Sequence, residues 1–325
     1  MLLYIFLACT IISEHLGSAA DFSDRKEIIF EVPKGTSARG LGVHLAKANV
    51  IKNATNFSNY VRITKEGSCI KAGRFVLTRA MTAKEIIETL CGVPIHNDKP
   101  FTILEGWRIR EIDAALAKEG WIKAGEYSKL VQSPALFTAP FDLPKTSLEG
   151  YLYPETYMLT PDRFDTKAFI QRQIDLLTEN FYTPNKTAIE QSKRSFNELV
   201  IMGSMLEREE PKPKNRPLVA GILWKRLDNN WNLGVDATSR YTLAEWNNRK
   251  NFIAKLEDPK EPYNTRHRAG LPPTAIGNPS TSSLEAALAP EASEWWYYLH
   301  DKQQNIHPAK NNTGHEANRR KYNVY

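Results

Sequence analysis

FEVPKGTSARGLGVHLAKANVI, residues 30–51, and FTILEGWRIREIDAALAKEGWI, residues 101–122, align without a gap. Phe30, Gly35, Leu41, Leu45, Ala46, Lys47 and Ile51 fall on Phe101, Gly106, Ile112, Leu116, Ala117, Lys118 and Ile122. Each copy reads as a short strand, a turn and an amphipathic helix with apolar residues at helical spacing. A looser copy, FVLTRAMTAKEIIETLCG, starts at Phe75, with Thr82 and Glu85 as a capping box and Gly92 as a stop. The pattern predicts an α+β fold. A small β-α subdomain spans residues 27–95, a larger mixed α/β domain spans 96–325, and the third copy bridges them. Units of this kind more often bind or position a ligand than perform chemistry.

Beyond the repeats, residues 124–147 read as proline-rich loop. LEGYLYPETYML, residues 148–159, is a loop entering a strand, interrupted by Pro154. Helices are expected at 165–182, 195–210 and 215–230, the last with Pro217 in its first turn. Residues 262–290 are Pro/Gly-punctuated loop followed by a short helix, and WWYYLH at 295–300 is a strand.

The 325 residues suit roughly two domains of about 150 each. Apolar residues make up 42% and charged residues 25%, with net charge +6. This is ordinary globular composition, sufficient for a sizeable core. The mild basic excess carries no aromatic-interleaved patch, so nucleic acid is not an expected partner. Leu2 to Ile12 is apolar, the length of a signal-peptide core and short of the ~20 residues that span a bilayer. Residues 1–20 are therefore read as a signal or membrane-anchor segment, although no basic residue precedes the apolar run. Cys69 and Cys91 form no CxxC motif and are read as free thiols, with a disulfide the alternative if the chain is exported. The histidines show no zinc-like spacing and no glycine-rich phosphate loop occurs, so neither metal nor cofactor is expected.

The chemistry is sought in MLEREE, residues 205–210, where an apolar helix ends in Glu207, Glu209 and Glu210 before Pro211. Glu207 lies one turn beyond Gly203 and two beyond Val200, on their face. Glu209 lies about 200° further round, at 100° per residue, so a given cleft receives one of the two. Apolar neighbours and a helix C-terminus both disfavour a carboxylate charge and suit a general acid at Glu207, with Gly203 leaving room for substrate. Solvated helix-end glutamates are the plainer reading of the same stretch. Other acids near the expected cleft are Glu149, Glu155 and Asp236, as substrate contacts or as loop-fixing acceptors. Tyr151 and Tyr157 are candidates to stack on sugar rings, or core residues.

LEGYLYPETY, GSMLERE, LWKRL with LGVDAT, PYNT, GLPPTAIGNP, SLEAAL and the closing YYLHD, NNTGHEAN occur in this order. Together they resemble the endolytic murein transglycosylases of the MltG, or YceG-like, family over residues 28–323. The resemblance implies an anchor in the inner membrane, a LysM-like subdomain and a catalytic domain facing the periplasm. It implies cleavage of peptidoglycan glycan strands between N-acetylmuramic acid and N-acetylglucosamine, leaving 1,6-anhydro ends, to terminate strand growth. Cell-wall synthesis enzymes are the implied protein partners. The family's catalytic glutamate is placed on Glu207, the first of LERE. Tyr263, Asn264 and Thr265 resemble the cleft loop, and Asn312 and Thr313 offer further substrate hydrogen bonds. The chain departs from the family pattern at Asp236-Ala237-Thr238, where Asp-Pro-Thr is usual, and at Lys225, where Asn is usual. A non-catalytic peptidoglycan-binding scaffold and a conventional muramidase-type hydrolase are the alternatives.

Overall fold

Phe30 and Phe75 face each other across an antiparallel pair. The structure, a computed structural model, describes residues 17–95 and 97–324. Most of the segment read as signal or anchor, residues 1–16, lies outside the described residues. Two compact units divide the chain between Asp98 and Lys99. Among the described residues no helix is long and apolar enough to cross a membrane.

In the first unit, β1 (Ile28–Val32), α1 (Ala38–Lys47), α2 (Ala54–Thr64), β2 (Gly73–Leu77) and α3 (Ala83–Cys91) follow in order. Side-chain oxygens start each helix. Ser37 accepts from the Gly40 amide, Asn53 from Thr55 and Asn56, and Thr82 and Glu85 form the expected reciprocal box. Phe30, Leu41, Leu45, Phe57, Phe75 and Ile86 share one core. α1 and α2 pack closely because residue 42 is glycine; a Cβ there would lie 2.7 Å from the Ala54 carbonyl oxygen. Cys69 and Cys91 are joined in a disulfide, which corrects the free-thiol reading. The short 3₁₀ turn Glu66–Cys69 packs on α3, whose last residue is Cys91, at a Cα–Cα separation of 5.1 Å.

The second unit opens with the third copy of the repeat, β3 (Lys99–Thr102) and α4 (Ile109–Lys118), followed by α5 (Glu126–Val131) and β4 (Thr156–Leu159). β3 pairs antiparallel with β4, Phe101 opposite Tyr157. This strand thus takes its partner from outside the repeat, unlike β1 and β2. Then come α6 (Thr166–Leu177), α7 (Thr183–Gln191), α8 (Phe196–Glu209), α9 (Arg216–Asp228), α10 (Asp236–Tyr241), α11 (Arg249–Glu257) and α12 (Thr281–Leu288). A last hairpin, β5 (Tyr297–His300) and β6 (Ile306–Ala309), carries α13 (Asn312–Tyr322). Helices with small antiparallel pairs make the fold α+β.

α8 is the centre of this unit. A Ser195–Glu198 capping box starts it, and every residue from Leu199 to Leu206 is buried, as befits a helix apolar all round. Gly203 serves packing: its position for a Cβ lies 3.0 Å from Leu284 on α12. The space expected there for substrate is filled by that helix.

Candidate active site

At 100° per residue the three carboxylates ending α8 must point in different directions, and each meets different partners. Glu207, with a side chain only 7% exposed, pairs with Arg216, itself 6% exposed, at 2.8 Å from Nη2 to Oε1. The Glu207 Oε2 accepts from the Ser280 amide at 2.9 Å and from the Ser280 hydroxyl. Arg216 also donates to the hydroxyls of Ser280 and Ser282 and to the Glu210 carbonyl. Glu207 therefore meets a guanidinium and hydroxyls, not the apolar face expected for it, and both its oxygens are already engaged by the protein. Glu210 is wholly buried. It accepts from the Lys212 amide at 2.8 Å and contacts His300 Nε2 at 2.9 Å.

Glu209 faces the other way, into a cavity of about 800 Å³. Burial first, and then the charge of Asp236, hold its carboxyl above the usual range, against the opposing pull of His300, the Tyr298 hydroxyl and Arg226. The Tyr298 hydroxyl is its hydrogen-bond partner. A carboxyl so placed keeps its proton to higher pH, which suits a general acid.

The cavity walls come from distant parts of the chain. Asp236, at the start of α10, accepts from Arg266 Nε at 2.7 Å. Arg226 donates to the Trp296 and Leu233 carbonyls and so ties the end of α9 to the approach to β5. Trp231, 38% exposed at the rim, stacks on Trp296 at 4.8 Å. Tyr297 and Tyr298 from β5 and His315 from α13 complete the lining. Carboxyl, guanidinium, amide and aromatic groups around one space match the needs of a hydroxyl- and acetamido-bearing sugar chain, where rings supply apolar faces and polar groups fix orientation.

The other expected site residues fall in different places. Tyr151 is 1% exposed, packs on Phe141 and Phe196 and bonds Asn197. Tyr157 is equally buried against Phe169. Both are core residues and cannot stack on a sugar. Glu149 is buried, accepting from the Ile109 amide that opens α4 and from the Tyr241 hydroxyl. Desolvation pushes its carboxyl up to about 7. Glu155 is exposed beside a separate space of about 450 Å³, whose far wall is Ser280 to Ser282. The Tyr263 hydroxyl pairs with that of Thr274 and its ring packs on Tyr241. Asn264 is buried, and its amide donates to the carbonyls of Lys255, Leu256 and Asp258 at the end of α11. Thr265 accepts from the Val235 amide and so fixes the residue before Asp236. These residues shape the loop beneath the cavity; among the loop residues expected to bind, none lines it. Asn312 and Thr313 are exposed on the first turn of α13, and His315, which was not singled out for the site, is the residue of that turn that reaches the cavity.

With this geometry in view, similar proteins become informative. An endolytic murein transglycosylase of Bacillus subtilis (strain 168) is 28% identical over 281 residues, covering 82% of this chain and 77% of the relative. One of Streptococcus pneumoniae serotype 2 is 24% identical over 326 residues, covering 92% of this chain and 59% of the relative. A crystal structure of a YceG-like protein from Listeria monocytogenes superposes with a TM-score of 0.60 at 28% identity, covering 90% of this chain and 99% of that one. The family model of the YceG-like family matches residues 30–321, nearly all of both units. The chain, with its apolar α8 ending in paired glutamates beside a walled cavity, belongs to the YceG-like family.

Proposed function

We propose that this protein is an endolytic peptidoglycan transglycosylase whose acid is Glu209, in place of the Glu207 expected from the sequence. The observation that carries the reading is the Glu209 carboxyl, lifted by burial, on the wall of a cavity of about 800 Å³ whose other carboxylate, Asp236, is tied to Arg266. The names of the Bacillus and Streptococcus relatives support the substrate. In this chemistry the acid gives its proton to the oxygen leaving the muramic C1, and the C1–O bond breaks. The muramic C6 oxygen then bonds to C1, releases its proton to a base, and closes the 1,6-anhydro ring without water. A hydrolase would instead place two working carboxyls about 5 to 9.5 Å apart and end in a reducing sugar.

The working place is outside the cytoplasm, since the substrate is there. The Cys69–Cys91 bond supports this, because disulfides persist in oxidising compartments. Anchoring in the inner membrane through residues 1–20, a periplasmic orientation, a LysM-like role for the first unit in holding glycan, and contact with wall-synthesis enzymes complete the proposal.

Purified glycan strands incubated with wild type, Glu209→Gln and Glu207→Gln test it. Anhydro-ended products from wild type, lost in Glu209→Gln and reduced in Glu207→Gln, are expected. Reducing ends from wild type would count for the hydrolase; a fully active Glu209→Gln would remove Glu209 from the role.

A further inference from the structure

Among the described residues His315 is the histidine on the wall of the Glu209 cavity. His300 and His307 each spend a ring nitrogen on a carboxylate, Glu210 and Asp301. His315 does not. Its ring stacks on Tyr297, centroids 5.2 Å apart, and its Nδ1 is buried with no hydrogen-bond partner. Buried polar atoms are paired in all but a few cases, so an exception calls for a reason. His315 lies on the cavity wall with Nδ1 turned inward and held by no protein partner, so the ring is free of any fixed hydrogen bond and its outer edge is what a hydroxyl arriving with the substrate meets.

We propose that His315 is a second catalytic residue, the base that accepts the proton of the muramic C6 hydroxyl while Glu209 acts as the acid. This rests on the transglycosylase reading above. The imidazole nitrogen takes the proton from O6, and the O6 electron pair forms the C1–O6 bond. The C1–O4 pair leaves with the glucosamine oxygen, which receives the Glu209 proton. Glu209 has then lost one proton and His315 gained one, and exchange with water restores both.

The surroundings suit a base. Burial, with Arg319 on the same helix and Arg226 on α9, disfavours the charged ring, and Glu316 opposes them. Glu209, Arg226, Asp236, Arg266, Tyr297 and Tyr298 share the cavity. Activity then needs His315 neutral and Glu209 protonated. It falls at low pH as the imidazole takes a proton and at high pH as the carboxyl loses one. A mechanism resting on one carboxyl for both steps has no such histidine limb.

The test uses the full chain carrying H315A and H315Q, with kcat and KM on purified glycan strands across pH and thermal melts alongside. Both variants should lose about 10²-fold in kcat, the scale of general acid–base catalysis. KM should change little, the low-pH limb should vanish, and melting should stay near wild type because no hydrogen bond is removed. If H315A fails to fold, H315Q decides alone, since it keeps a hydrogen-bonding group but no basic nitrogen. An H315Q protein with wild-type kcat and an unchanged pH profile overturns the base role while the transglycosylase reading stands. Reducing ends from the wild type overturn both.

Discussion

Glu207, Glu209 and Glu210 stand within one helical turn and answer to Arg216, an open cavity and His300. Glu209→Gln should therefore remove ~10³ to 10⁴-fold of the rate of anhydro-muropeptide release, the upper part of the general-acid range. Its melting temperature should hold or rise, because a poorly solvated acid is removed. Glu207→Gln should behave differently. Loss of a charged hydrogen bond to Arg216 costs about 2 kcal/mol of stability in a denaturant titration, and rate should drop ~10-fold through the shifted helix end. The Glu-x-Glu ending and the opposition of its faces were legible in the sequence, because both follow from 100° per residue. Which face meets the cavity was not. Its walls are built from residues 226 to 236, 266 and 297 to 315, and no local pattern announces that they converge.

The helix over Ala83–Cys91 starts and stops where its capping chemistry said it would, at Thr82 with Glu85 and at Gly92, and α8 begins in the same way at Ser195 with Glu198. What was misread was the use of residues inside elements. Gly203 was taken for substrate space and serves the α8–α12 contact; Tyr151 and Tyr157, read either as platforms for sugar rings or as core residues, fill the core. An exposed ring and a buried one look alike in a short aromatic run. Gly221 on α9 makes the packing argument testable. A Cβ there would lie 1.9 Å from the Glu291 carbonyl oxygen, so Gly221→Ala should cost about 2 kcal/mol or more by overpacking, read from its thermal melt. Glu149, beneath the start of α4, gives a pH effect. Its folded carboxyl stands at about 7 against an ordinary 4.5. The folded form thus holds the proton more tightly, and its contribution is fully present below about pH 4.5 and is lost as pH rises through about 7. The loss is about 3 kcal/mol. Glu149→Gln should flatten stability across that window and leave the protein more stable than wild type above it. A stability profile as steep as wild type would show that another group is responsible.

At the scale of the molecule, the repeat disclosed the strand-turn-helix units but not their strand partners, since β3 pairs with β4, which belongs to no copy. The disulfide was also hidden, because two cysteines 22 residues apart reveal neither their distance nor their compartment. Closing a loop of that length contributes about 3 kcal/mol to the first unit. Reduction, or Cys69→Ser with Cys91→Ser, should lower the melting of residues 17–95 and leave hydrogen exchange in α8 unchanged. The cavity has a consequence in time. Glu209 is synthesised long before Tyr297, Tyr298 and His315, and at about 5–20 residues per second the interval is roughly 5 to 20 s. A nascent chain in that interval carries Glu209 without Tyr297, Tyr298 and His315 around it. A chain halted before Trp295 should hold α8 folded and cut nothing, so a growing polypeptide is harmless to the wall until its final hairpin and helix have docked.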